Sequence, residues 1–190
     1  MTSRYSLQIL SALILGISLV TGSQAAWMSG KAWLAQYLLN SAWQTSQQSG
    51  VSGKPWQWAD TRTVAQLSIP RMDKSLIVLS DASGEALAFG PGLAGGDPLL
   101  ASSSTIAIGG HRDTHLAFLE SVPEGELIEL KTIDGKTHRY RLMDKQIVDT
   151  RLQTLSISRE NAGLVLITCY PFNPTQTGGP LRLVARAVAA

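Results

Sequence analysis

One cysteine, Cys169, is all that the 190 residues contain, so no disulfide can close within the chain. No run of lysine or arginine occurs either. The net charge of +2 comes from basic residues dispersed among acids, which excludes a nucleic-acid-binding arm or patch. No charged residue lies between Tyr5 and Gly30. No internal repeat is visible, and the length suits one domain with a real core plus a short appendage.

The appendage is N-terminal. Arg4 precedes the uncharged stretch, Lys31 ends it, and Leu7 to Val20 is almost wholly aliphatic. Two readings compete. A secretory signal would use Ile9 to Val20 and a small-residue cleavage site such as Ser23-Gln24-Ala25. A signal anchor would use the whole run, which at ~1.5 Å per residue covers a ~30 Å hydrocarbon core. Trp27 and Trp33 stand where an interfacial belt would fall, which favours the uncleaved transmembrane anchor over residues 1–30. Both readings take the rest of the chain out of the cytoplasm. There a lone thiol is a liability unless it is buried or in use.

Residues 26–45 read as an amphipathic helix, and residues 46–55, rich in Gln, Ser and Gly, as a linker. Together, residues 31–55 make a stalk, and the folded domain is expected over residues 56–190. Its pattern is β. Strands are expected at Val64–Pro70, Ser75–Leu79, Ala86–Phe89, Thr105–Ile108, Leu127–Thr132, Lys136–Met143, Gln146–Asp149, Gly163–Cys169 and Leu181–Val188. Asp134-Gly135 marks a hairpin, and Gly90 to Pro98 reads as a loop. About eight short strands between turn signals fit a closed β-barrel. Short helical turns are expected only near Ala117 and Arg159.

Chemistry concentrates around Gly163-Leu164-Val165-Leu166-Ile167-Thr168-Cys169-Tyr170-Pro171-Phe172. The apolar run reads as a buried strand that delivers Cys169 to its exit. A thiol there suits a nucleophile, and a packed small hydrophobe is the other reading. A nucleophilic thiol needs an imidazole beside it. His111 follows Gly109-Gly110 at a strand end, mirroring Cys169. His115 suits a local turn, and His138, sharing a face with Tyr140 and Leu142, reads as structural. Arg182 opens the last strand. If that strand returns antiparallel to the cysteine strand, its guanidinium comes back beside the thiol, charged at any useful pH. Arg186 shares its face further along. A zinc site from His111, Asp113 and His115 lacks a third strong ligand and the glutamate of the protease motif.

These residues carry a resemblance. Leu166-Ile167-Thr168-Cys169, Gly110-His111 and Arg182-Leu183-Val184, in the order His, Cys, Arg, resemble the active-site motifs of sortases. The likeness covers roughly Trp56 to the C-terminus. Gly110-His111-Arg112-Asp113-Thr114-His115, Thr168-Cys169-Tyr170-Pro171-Phe172 and Gly178-Gly179-Pro180-Leu181-Arg182 look most like the sortases of Gram-negative bacteria. The resemblance implies an eight-stranded sortase-type β-barrel transpeptidase, held in the inner membrane by its N-terminal helix with the barrel on the periplasmic side. Cys169 would attack a C-terminal sorting signal of the Leu-Pro-x-Thr-Gly kind on a substrate protein. The thioacyl-enzyme would then be resolved by an amine of unknown identity. His111 would protonate the leaving amine, and Arg182 would steady the oxyanion. Thr168, Leu166 and Phe172 would contact substrate, with the loop from Pro171 to Pro180 helping to set which signal is read.

Where the family motif often opens with Thr, this chain has Val165. The acidic cluster with which some sortases hold calcium has no counterpart near the expected groove, so neither metal nor cofactor is expected. Two other functions compete: an L,D-transpeptidase-like envelope acyltransferase and a non-catalytic anchored binding barrel. The first places its cysteine in a Ser-His-Gly-Cys type of motif, which Thr168-Cys169 does not match.

Overall fold

The computed structural model describes residues 2–155, 161–173 and 178–190. Its contacts divide the chain into residues 1–37 and residues 38–190. The first unit is most of a single helix, α1 (Thr2–Ser49). In it, Trp33 stacks on Tyr37 at 5.9 Å, and the Lys31 ammonium lies 5.4 Å from the Trp27 ring. Among the described residues no helix is long and apolar enough to cross a membrane, so the expected transmembrane span over residues 1–30 finds no support there. Gln8, Ser11, Ser18, Thr21 and Ser23 interrupt the apolar run. Two of the hydroxyls return to the helix's own carbonyls, that of Thr21 to Ile17 at 2.9 Å and that of Ser23 to Val20 at 2.8 Å.

The second unit is mainly β. Eight strands follow: β1 (Thr63–Ile69), β2 (Lys74–Leu79), β3 (Gly92–Gly95), β4 (Thr105–Gly110), β5 (Leu127–Thr132), β6 (Thr137–Asp149), β7 (Gly163–Cys169) and β8 (Leu181–Ala189). They close into a barrel in the order β1-β2-β3-β4-β7-β8-β6-β5, with β1 and β5 paired across the seam. Among the described residues two pairings are parallel, β2 with β3 and β4 with β7. Strand alternation explains the core. Ala65, Leu67 and Ile69 of β1, Ile106 and Ile108 of β4, and Leu164 and Leu166 of β7 all point inward, each at most 1 % exposed. Inside the barrel Tyr140 is buried, its hydroxyl donates to the Ala101 carbonyl at 3.1 Å, and burial pushes its pKa up to about 12.

Three expectations change. Ala86–Phe89 is not a strand: Ala86–Ala88 form a short 3-10 helix, with Ala86 buried against Leu79 and Leu39. The true third strand lies in the presumed loop, at Gly92–Gly95, where glycine hides β propensity but permits contact. A Cβ on Gly92 would overlap the Asp81 carbonyl, because the chain after β2 crosses directly over it. Gly92→Ala is therefore expected to destabilise the barrel by about 3 kcal/mol, read from urea unfolding. The two expected strands at Lys136–Met143 and Gln146–Asp149 are one strand, β6, with a register shift between Leu142 and Asp144.

The expected linker is partly helix. α1 runs to Ser49, and its last turns bury Leu39 and Trp43 against the barrel unit, Trp43 beside Ile77 and Ile133. The Ser46 hydroxyl meets that of Thr63 at 2.9 Å and accepts from the Gly53 amide at 2.8 Å, tying this segment to β1. The expected short helix near Ala117 is a 3-10 turn at Ala117–Glu120. That near Arg159 lies outside the described residues.

Candidate active site

The parallel pairing of β4 with β7 sets two strand exits side by side. Gly110 pairs with Thr168, so His111 and Cys169 leave neighbouring strands at the same level. The Thr168 hydroxyl donates to the Gly110 carbonyl at 2.7 Å, fastening the two exits together. On its other edge β7 pairs antiparallel with β8, and there Cys169 stands directly opposite Arg182. Neighbouring strands lie roughly 4.8 Å apart, so the register brings all three residues to one end of three adjacent strands.

They also share a face. Ile106 and Ile108 point into the core, which turns Ala107, Gly109 and then His111 outward. Leu164, Leu166 and Thr168 are buried, which turns Val165, Ile167 and Cys169 outward; Leu183 and Ala185 do the same for Arg182. The site therefore lies on the barrel's outer surface. Cys169 is half-buried, so it is not a packed core thiol. Arg182 is half-buried too, and one Nη donates to the carbonyls of Gly179 at 2.7 Å and Leu181 at 2.9 Å. These bonds tie the guanidinium to its own loop, and its other nitrogens make no hydrogen bond among the described residues.

His111 is exposed, and its carbonyl accepts from the Leu116 amide at 2.9 Å. This turn returns His115 toward it, the two rings 6.0 Å apart and tilted by 31°. Gly110 permits the packing, since a Cβ there would lie 2.8 Å from Leu116 Cγ. His115 Nδ1 is buried with no hydrogen-bond partner. Burial first, and the neighbouring His111 charge second, hold the His115 pKa below its ordinary value of 6.5. The sign of its linkage follows. As pH falls through 6.5 the unfolded chain takes up a proton that the folded His115 refuses, so stability declines until the lower folded pKa is passed. Chemical denaturation between pH 7.5 and 5 should show this decline, and His115→Gln should flatten it.

The remaining residues singled out from the sequence fall elsewhere. Leu166 is 1 % exposed on the inward face and cannot touch a peptide on the outer one. Thr168 is buried and spends its hydroxyl on Gly110. Phe172 packs edge-on to Tyr170 against the core. With Leu119, Glu120, Lys145 and Leu183, these two aromatic residues line a cleft of 380 Å³. Of the loop from Pro171 to Pro180, residues 174–177 lie outside the described ones. His138 is half-buried in β6 opposite Leu130, away from the three.

Sequence reasoning missed the outward neighbours. Val165 and Ile167 of β7 run up to Cys169 beside Ala107 and Gly109 of β4. Counting back in twos from the cysteine would have found them. The side wall has no such signal: a Cβ built on Gly109 would lie 3.6 Å from that of Ala82 and 3.9 Å from that of Ala94. Ala94 continues into a hollow of 770 Å³ with Leu100, Ser104 and Leu155 near the start of β4. Small residues thus flank the paired strands that lead to the thiol, with Gly109, Val165 and Ile167 partly exposed along them. Among the described residues no group of three or more His, Cys, Asp or Glu side chains can hold a metal ion.

A family model described as a Sortase domain matches residues 67–190. Among solved structures, sortase A from Corynebacterium diphtheriae is 24 % identical, with a TM-score of 0.58 over 82 % of this chain and 84 % of that one. Sortase A from Listeria monocytogenes is 20 % identical, with a TM-score of 0.57 over 67 % and 87 %. Sortase C from Streptococcus pneumoniae is 20 % identical, with a TM-score of 0.56 over 66 % and 65 %. No curated protein matches the sequence.

Proposed function

The chain belongs to the sortase family of cysteine transpeptidases, and on that premise we propose that it cuts a C-terminal sorting signal of the Leu-Pro-x-Thr-Gly kind and joins the protein to an amine. The observation that carries this reading is the register, in which Gly110 pairs with Thr168 and Cys169 with Arg182. The Cys169 thiolate adds to the carbonyl of the scissile amide. The resulting oxyanion is met by the Arg182 guanidinium, whose free donors suit it. Collapse breaks the C–N bond, His111 gives its proton to the departing amine, and a thioester remains. An incoming neutral amine then forms a new C–N bond as the C–S bond breaks. Sulfur leaves as thiolate, and the surplus amine proton passes to the imidazole.

Thr168 acts on the strands rather than on the substrate: its bond to Gly110 holds the two exits at one level. Val165 and Ile167 take the peptide's apolar residues. The motifs around His111, Cys169 and Arg182 support the Gram-negative subtype. The enzyme works in the bacterial envelope, and the apolar N-terminal run is the segment that directs it there.

Trapping the acyl-enzyme is the direct test. Mixing the full chain with candidate sorting-signal peptides should add the mass of the acyl fragment, and peptide mapping should find it on Cys169. An adduct on any other residue, or turnover without one, overturns the reading. The histidine assignment has its own test. His111→Ala should lower kcat by about 10³-fold, whereas His115→Ala should change it by less than about threefold; the opposite ranking would transfer the role to His115.

A further inference from the structure

A second concavity of 340 Å³ lies beside the groove, between the segment before β1 and the segment after β2. Its walls are aromatic and acidic. Trp56 meets Phe89 edge-to-face with centroids 5.0 Å apart, and Trp58 stands 82 % exposed at the rim. Asp60, Asp81 and Glu85 supply three carboxylates, and no lysine or arginine lines the space. In a chain of net charge +2, such a lining is a local reversal of sign. The carboxylates differ in use. Asp81 accepts from the Ser83 amide at 3.0 Å, and its pKa is lowered chiefly by its bond to Ser83. The carboxylates of Asp60 and Glu85, both exposed residues, make no ion pair or hydrogen bond among the described residues.

The concavity and the groove share a wall. Asp81 and Ser83 line the former, while the Cβ of Ala82 between them lies 3.6 Å from where a Cβ on Gly109 would stand. Gly109 pairs with Ile167. From that pair Cys169 lies two residues further along β7, about 7 Å at the rise of a strand.

Resting on the transpeptidase reading above, we propose that this aromatic–acidic pocket binds a positively charged group, an ammonium or guanidinium, on the amine acceptor. Aromatic faces attract a cation through their quadrupole, and unpaired carboxylates supply the counter-charge. The pocket holds a charged group that takes no part in bond making. A separate amine on the same molecule, neutral when it attacks, forms the C–N bond with the thioester. An acceptor with two amines therefore has one for the pocket and one for the chemistry, whereas a monoamine must choose.

Two measurements on the full chain test this. Tryptophan fluorescence of the Cys169→Ala protein is titrated with 1,5-diaminopentane and, as the neutral control, 1-pentanol. A saturable response to the diamine alone, weakened at least tenfold in Asp60→Asn/Glu85→Gln and by added salt, supports the pocket. No saturable response, or one equal for the alcohol, overturns it. In the transfer assay the unsubstituted enzyme should prefer 1,5-diaminopentane over pentylamine at least tenfold in kcat/KM, and Asp60→Asn/Glu85→Gln should erase that preference; equal use of both amines by the unsubstituted enzyme overturns the proposal. Because the titration needs no turnover, failure of the pocket is distinguished from failure of the transpeptidase reading, which the acyl-enzyme trap decides.

Discussion

Cys169→Ala is expected to reduce both transfer and hydrolysis by about 10⁵-fold or more, because the proposed covalent route has no other nucleophile. Stability should move by no more than about 0.5 kcal/mol. The residue is half-buried on the outer face, and its backbone pairing with Arg182 does not involve the sulfur. A thermal melt overlaying that of the unsubstituted protein, together with loss of the acyl adduct, is the expected pair of results. Residual cleavage at the correct amide would mean that a water or another side chain performs the attack. Loss of the melt would mean instead that the thiol serves the fold.

Arg182→Lys is expected to lower kcat by about 10²–10³-fold, the scale of removing one oxyanion donor. Charge is retained, so the loss reports geometry. One Nη already serves the carbonyls of Gly179 and Leu181, and the planar fork carries further donors on its other nitrogens. An ammonium has three donors on one atom and cannot hold the loop and meet the oxyanion together. Arg186 is the control. It shares the outer face of β8 but pairs with Asp144 at 3.4 Å. Arg186→Lys should leave kcat within about threefold. A drop below tenfold for Arg182→Lys would assign the oxyanion to backbone amides.

Much of this arrangement was legible in the letters, for reasons that differ by element. Leu164 to Cys169 reads as a strand because its apolar run is bounded by Gly163 and Pro171, and Gly163–Cys169 is β7. The pairing of Cys169 with Arg182 follows once β8 is taken as antiparallel, and that is the observed register. The pairing of Gly110 with Thr168 could not be read, because a parallel contact between distant segments leaves no local trace. β3 was hidden for another reason: Gly92 serves close approach of backbone, and β propensity counts glycine as loop. Leu166 was misassigned to the substrate because its adjacency to Thr168-Cys169 was weighed above alternation, which turns it into the core. The membrane span was read from the missing charges of the N-terminal run, and among the described residues no helix is long and apolar enough to be one.

The pairing of β4 with β7 has a consequence for the order of events when the chain folds. The contact between Gly110 and Thr168 closes a long loop, and β8 must then add to the free edge of β7. Such distant contacts form slowly, since chain entropy must be surrendered before they return anything. Hairpins such as β5–β6 can arise early, yet the three residues reach one end of the sheet only when β4, β7 and β8 have paired. A chain in which those three strands have yet to pair would thus be chemically silent, and reactivity itself would report that the distant segments have met.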